Sequence, residues 1–232
     1  ESIWGLLIGL FIAMVIISQF MLTFGSDPNA KVTKKSKSPL SFHPIALIFG
    51  LLSFVSYLVE GAVGDWSALY LFEDKGIVIE EAVMGVMLFN GTMCIGRLLG
   101  NRLGKHLTSK QVVVGGYLLG SIAMGLIVFL PGHASMYTYL LLGISLAMIV
   151  PNLFSAMGEQ NVIPMTQAVA TSTMLGYMGI LMGPALIGFI AHGTSLTVAF
   201  IVLTILLVVS AGIGKYAYHL MSKDCGLSEE QI

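Results

Sequence analysis

Ser53, Tyr57, Glu60 and Gly64 recur at intervals of four, three and four residues inside an otherwise apolar run. That spacing lines them up on one face of a helix. A carboxylate among aliphatic residues has little choice of surroundings. Facing acyl chains it costs about 3 kcal/mol, so it must face a bundle interior or water. Two kinds of work are open to Glu60. In a wet cavity it binds solute hydroxyls or carries a proton; against a neighbouring helix it is a structural hydrogen-bond acceptor. Tyr57 offers a hydroxyl on the same stripe. Asp65 differs, because five residues place it about 140° further round and closer to the end of the run, where a cap or a gate is expected. Trp66 is either an interfacial ring or a platform on which a solute ring stacks. Gly61 and Gly64 either let the helix bend or let a neighbour approach closely.

Other polar residues interrupt later runs. Asn90 falls at mid-depth of its run, in line with Cys94 and Arg97 at spacings of four and seven; it faces a cavity or finds a partner in another helix. Pro151 forces a kink with a freed carbonyl, and Asn152 beside it either lines an inner cavity or satisfies that carbonyl. Tyr177 reaches a solute or a backbone group. Arg97 and Arg102 end one run and Glu159 ends another. One arginine is expected to pair with Glu159 as a latch that opens and closes, or else the arginines simply anchor topology. No metal or cofactor is expected. Cys94 and Cys225 fall too far apart to bridge, and the five histidines lie near run ends.

The elements that must position these residues follow from composition. Of 232 residues, 56% are apolar and 10% charged, whereas soluble domains carry roughly a quarter charged residues. So little charge cannot cover a soluble surface, and the net charge of −1 gives no reason to expect nucleic acid. Seven runs are long enough to cross a hydrocarbon core of about 30 Å: 2–24, 44–72, 82–99, 111–130, 136–157, 164–191 and 195–220. None alternates polar with apolar as barrel strands do. The first run lacks a basic leader and reads as an internal helix rather than a signal peptide. Lysines at 31, 34, 35 and 37, the basic cluster from Arg97 to Lys110, and Lys215 with Lys223 all fall on one side of an alternating seven-span chain. By the positive-inside bias that side is the cytoplasm, with the N-terminus outside and the C-terminus inside. The expected organisation is a lone helix over 1–24, a flexible basic linker over 25–43, six closely linked helices over 44–220 and a cytoplasmic tail over 221–232.

The linker, the six helices and three local motifs resemble the second half of a major facilitator superfamily transporter. EGAVGDWSALYL over 60–71 is similar to the seventh helix of a bacterial subgroup akin to sugar and fucose permeases. GRLLGNRLGKHL over 96–107 is similar to the superfamily's loop motif, an acid followed by basic residues around a glycine; Asn101 holds the acid position, followed by Arg102, Gly104 and Lys105. GYMGILMGPALIG over 176–188 is similar to a glycine–proline helix motif, with Gly179, Gly183 and Pro184 as packing and hinge residues. The resemblance implies an all-α integral membrane fold of seven transmembrane helices, six forming one major-facilitator-type half bundle. It implies that the lone helix ends an N-terminal six-helix half whose first five helices are missing from this chain.

The function expected is secondary active transport by alternating access of a small polar, sugar-like solute, proton-coupled through Glu60, in a bacterial inner membrane. The partners are the solute, the lipid bilayer and the missing N-terminal half, without which this chain should not transport. Proton-driven efflux of a drug-like solute is the alternative. A seven-helix receptor or retinal protein has the same span count, but Lys215 lies near the inner end of its run rather than midway, and the third run has no central acid. No nucleophile–base arrangement points to an enzyme.

Overall fold

The computed structural model describes Ile12, Val15 and residues 43–103, 107–160 and 162–225, with side chains for all of these but 101–103, 224 and 225. Two units separate, Glu1–Lys37 and Ser38–Ile232. In the first unit Ile12 and Val15 are helical. The rest of the expected lone helix, the linker up to residue 42, and the tail beyond residue 225 lie outside the described residues.

The second unit is all helix among the described residues. Its elements are α1 (Pro44–Glu73), α2 (Ile79–Leu103), α3 (Ser109–Phe129), α4 (Gly132–Leu146), α5 (Ile149–Glu159), α6 (Met165–Gly193) and α7 (Leu196–Cys225). Among the described residues six stretches are long and apolar enough to cross a membrane, with α4 and α5 forming one of them over Gly132–Glu159. The seventh expected span falls on 2–24.

Local chemistry sets the ends. Pro44 opens α1, and His43 accepts from the Ile45 N–H through Nδ1 at 3.4 Å. A proline costs nothing there, since that first-turn N–H has no helical partner. Thr108 and Gln111 close a reciprocal capping box on α3, which satisfies two otherwise orphaned donors. Gly76, at φ +69, turns α1 into α2 through a conformation most side chains avoid. Lys75 beside it donates to the Val128 carbonyl at 2.6 Å. Burial pushes the Lys75 ammonium below its ordinary range, while Asp74 pulls it back up.

The break between α4 and α5 has a covalent cause. A proline has no N–H and its ring strikes the carbonyl four residues earlier. For Pro151 that residue is Ala147, and the helix breaks there, between Leu146 and Ile149. The Asn152 amide donates to the Met148 carbonyl at 2.8 Å, which already accepts from the Asn152 backbone N–H at 3.2 Å, and not to the Ala147 carbonyl that the proline frees. The expected role of satisfying the freed carbonyl is therefore not the one Asn152 fills; its amide turns to the neighbouring carbonyl of its own helix.

α1 lies at the centre, packed along α6 and touching α2 and α7 as well, while α3 packs on α4 and α7. Two aromatic pairs fill the core: Tyr70 stacks on Phe200 at 4.3 Å, and Phe49 meets Tyr218 edge-on at 5.3 Å. Tyr117 of α3 donates to the Leu52 carbonyl of α1 at 2.6 Å and lies 2.9 Å from Ser56 Oγ. Glycines set the α1–α6 approach. A Cβ on Gly179 would fall on the Phe54 carbonyl, and one on Gly61 would sit 2.9 Å from the Ile180 carbonyl. Pro184 leaves that Ile180 carbonyl without its helical donor, yet α6 runs through it unbroken. Gly64, by contrast, has open space where a Cβ would go. Of these two, Gly61 is therefore the packing glycine and Gly64 has no neighbour where its Cβ would be.

Candidate functional site

Glu60 lies just past the midpoint of α1, about 24 Å from Pro44 and about 20 Å from Glu73 at 1.5 Å per residue. Its partner is Arg97: Nη2 donates to Oε2 at 3.3 Å, across 37 residues of sequence. One of Arg97 and Arg102 is expected to pair with Glu159; Arg97 instead turns its guanidinium to Glu60. The geometry of antiparallel helices explains this. Side chains lean toward the N-terminus of their own helix. α1 and α2 run in opposite directions, so Glu60 leans toward the Pro44 end and Arg97 leans away from it. The two leans close the gap. Glu159 is exposed at the end of α5, and the side chain of Arg102 lies outside the described residues.

The pair is half open. The Arg97 side chain is 45% exposed and that of Glu60 22%. One N–H meets one oxygen, not the two-pronged geometry that arginine and carboxylate can form. Capacity remains on both groups for a solute or a water. Tyr57, one turn from Glu60, stacks on Tyr177 of α6 at 5.8 Å with the rings 9° from parallel. Gly176 makes room, since a Cβ there would come within 2.8 Å of the Tyr57 ring. Tyr177 itself is 57% exposed. Asn90 is exposed on α2 and donates to its own Val86 carbonyl at 3.0 Å. The stripe read from the sequence thus runs from a buried Ser53, which donates to the Phe49 carbonyl at 3.0 Å, through Tyr57 and Glu60 to an exposed Gly64.

Trp66 belongs to the packing. Its indole donates to the Pro184 carbonyl at 2.9 Å, and its ring covers Gly188, where a Cβ would come within 2.8 Å. It thereby joins Pro184 to α1 and forms one wall of a cleft of about 520 Å³ at the Glu73 end of α1, shared with Glu73, Asp74, His192 and Ser195. Asp65 is exposed and stands apart from the Glu60–Arg97 pair. The Trp66→Phe variant loses both the N–H donor and the part of the indole that covers Gly188, so a loss of at least about 1 kcal/mol is expected, read as a lower thermal midpoint in detergent.

The arrangement can hold a proton, oppose it with a fixed cation and offer aromatic hydroxyls. Among the described residues no group of three or more His, Cys, Asp or Glu could hold a metal. Coupling between the charges is measurable. A double-mutant cycle of Glu60→Gln and Arg97→Gln, followed by unfolding in detergent, should return about 1 kcal/mol, because the half-exposed pair is screened.

Sequence reasoning named both charges but not their union. No family model matches the chain. It is 41% identical over 168 residues to an uncharacterized MFS-type transporter of Yersinia pestis, covering 71% of this chain and 43% of that protein. It is 31% identical over 151 residues to the membrane protein MosC of Rhizobium meliloti, covering 65% of this chain and 37% of that one. The chain thus spans less than half the length of these curated relatives. Among solved structures, the fucose:proton symporter of E. coli superposes with a TM-score of 0.65 at 16% identity, over 75% of this chain and 42% of that one.

Proposed function

This chain belongs to the major facilitator superfamily, and from that premise we propose that it forms one half of a secondary carrier moving a small polar, sugar-like solute by alternating access, with a proton taken at Glu60. The observation that carries the proposal is the Glu60–Arg97 pair at 3.3 Å, set within the spans on surface that is partly open. A charge pair of this kind, half exposed and singly bonded, is suited to open and close as a proton arrives and leaves. Tyr57 and Tyr177 supply stacking area and hydroxyls near the pair. The carrier's other half would be an N-terminal six-helix bundle, and Asn90, Tyr57 and Tyr177 would face it across the solute. Asp65 and the cleft at the Glu73 end of α1 would form the external gate, and Glu159 with Arg102 an inner one. The cell membrane would be a bacterial inner membrane, with the C-terminus in the cytoplasm. Membership of a transporter family displaces the receptor and retinal readings.

One observation favours efflux as a second reading. Met174, Met178 and Leu181 share a face of α6 with Tyr177, and all are exposed. Flexible thioethers accommodate varied apolar shapes, so this face would suit a bulkier exported solute. The test is ion-linked transport by the complete carrier in everted and right-side-out vesicles. Right-side-out vesicles should alkalinise the medium when a substrate from a panel of neutral sugars is added. If only apolar dyes move, and only in everted vesicles, efflux replaces uptake. If nothing moves with protons in either orientation, proton coupling is wrong.

A further inference from the structure

We infer that Ser67, Tyr70 and Tyr139 bind a buried water molecule between α1 and α4, at a site separate from the Glu60–Arg97 pair. The site follows from packing alone and stands whether or not the carrier reading does. All three side chains are fully buried, and none of their hydroxyls closes a hydrogen bond of good length and angle with a described residue. Burying an O–H group without a partner is costly, so such groups find one in the protein or in ordered water.

Helical spacing and packing bring the three together. Ser67 and Tyr70 are three residues apart on α1 and so share a side of it. Leu71 next to them and the Tyr139 ring of α4 meet at Gly85 of α2, where a Cβ would come within 2.5 Å of the Leu71 side chain and 3.6 Å of the ring. The polar groups that act on the Tyr139 hydroxyl are Ser67 and Tyr70. The Tyr70 ring is clamped, stacked on Phe200 at 4.3 Å with the Lys75 ammonium 5.3 Å from its centre. Ser67 departs from the habit of helical hydroxyls, which return their proton to the carbonyl of the preceding turn. Ser53 of α1 does so at 3.0 Å and Thr138 of α4 at 2.9 Å. Ser67 does not donate to Val63, four residues back.

The protein cannot satisfy this group by itself, because each hydroxyl carries one proton. Small rotations would complete two contacts, Tyr139 with Ser67 and Tyr70 with Thr197. Thr197 gives its own proton to the Asp74 carboxylate at 2.9 Å, so Tyr70 can donate to Thr197 and keep a lone pair open. Ser67 and Tyr139 have no such outlet. Whichever of them donates to the other, one proton is left over. The open acceptor is the Tyr70 oxygen, which acts on Tyr139 through space and not as a bonded partner. A water between them accepts the spare proton and donates to Tyr70 and back to the remaining lone pair, which gives it the usual three bonds or so. It also completes a polar thread from the exposed Asp74 through Thr197 and Tyr70 to Ser67, a route by which water can enter. Since α1 and α4 touch along only a short stretch, this water is their polar link.

X-ray radiolysis with mass spectrometry tests the site in the complete carrier. The pulse makes hydroxyl radicals wherever water lies, bound water included, and they oxidise the side chains that touch it. Tyr70 and Tyr139 should take up oxygen although both are buried. Tyr117 is the control: it is equally buried, its hydroxyl is bonded to the Leu52 carbonyl at 2.6 Å, and it should stay unmodified. Ser67→Val replaces the hydroxyl by methyl groups, so labelling of both tyrosines should be lost. Should that variant fail to fold, Tyr70→Phe gives a second reading, by sign. Removing one partner of a bound water should lower the thermal midpoint by about 2–4 °C, whereas removing a hydroxyl that has no partner should raise it. Absence of oxygen on Tyr70 and Tyr139 in the wild type overturns the inference. So does labelling of Tyr117 at the same rate, which would mean that bulk solvent reaches the whole core. Labelling that persists in Ser67→Val, or a raised midpoint in Tyr70→Phe, overturns it as well.

Discussion

Proton-driven accumulation of solute by the complete carrier should vanish when Glu60 becomes Gln, while exchange of labelled for unlabelled solute persists. The size of the loss follows from the driving force. One proton crossing 100 mV delivers about 2.3 kcal/mol, and at 1.4 kcal/mol per decade that supports a gradient of about fortyfold. Glutamine occupies the same volume and can still accept from the Arg97 guanidinium, whose hydrogen bond to Glu60 measures 3.3 Å. It cannot take up or release a proton near neutral pH. The variant should therefore bind and reorient, yet bring its solute only to equal concentration on both sides. Medium alkalinisation on adding solute, measured with a pH electrode, should disappear with it. Alkalinisation that survives in Glu60→Gln would take this carboxylate out of the coupling step. Loss of exchange as well as accumulation would make it a binding or structural acid instead.

How far the sequence discloses this site depends on the kind of information each feature needs. Run length and apolarity suffice for the spans. The six described spans match expected runs, although α2 starts at Ile79 and α4 at Gly132, a few residues before the apolar runs. Helices begin where capping and turn geometry allow, not where hydrophobicity does. Glu80 and Glu81 sit in the first turn of α2, where acids are favoured by the helix dipole. The consequence of Pro151 was legible too, because a missing N–H and a ring clash are local. Arg97 was not. Position along the chain fixes the level of its Cα, near the C-terminal end of α2, and says nothing of where a long side chain reaches. The lean of two antiparallel helices brings it to Glu60, and that requires knowing that α1 and α2 are neighbours. Gly61 and Gly64 make the same point at smaller scale. Three residues apart, with the same residue type, one meets the Ile180 carbonyl and the other meets open space. Spacing cannot tell which side of a helix will have a neighbour.

The α1–α6 seam is where a single methyl group should do most damage to the fold. At Gly179 a Cβ would land on the Phe54 carbonyl oxygen, and at Gly183 on that of Leu58. Backbone atoms cannot rotate away as a side-chain tip can, so the helices themselves must part. Overpacking a well-fitted interior costs about 1–3 kcal/mol. Gly179→Val should reach the upper end, because its branched side chain drives two further carbons into the same seam. The cost spreads beyond the contact. Trp66 on Pro184 at 2.9 Å and Tyr57 on Tyr177 at 5.8 Å both span α1 and α6, so parting the helices weakens the support beneath Glu60. Gly64→Ala provides the contrast, since nothing lies within 4 Å of the added methyl. There alanine should stabilise, by at most about 1 kcal/mol through helix propensity. Thermal midpoints in one detergent should therefore move in opposite directions for the two variants. If Gly179→Val melted with the wild type, close backbone packing would not be what holds α1 to α6. The glycines of α6 would then have to be explained by motion, and the rigid seam under the charge pair would lose its physical basis.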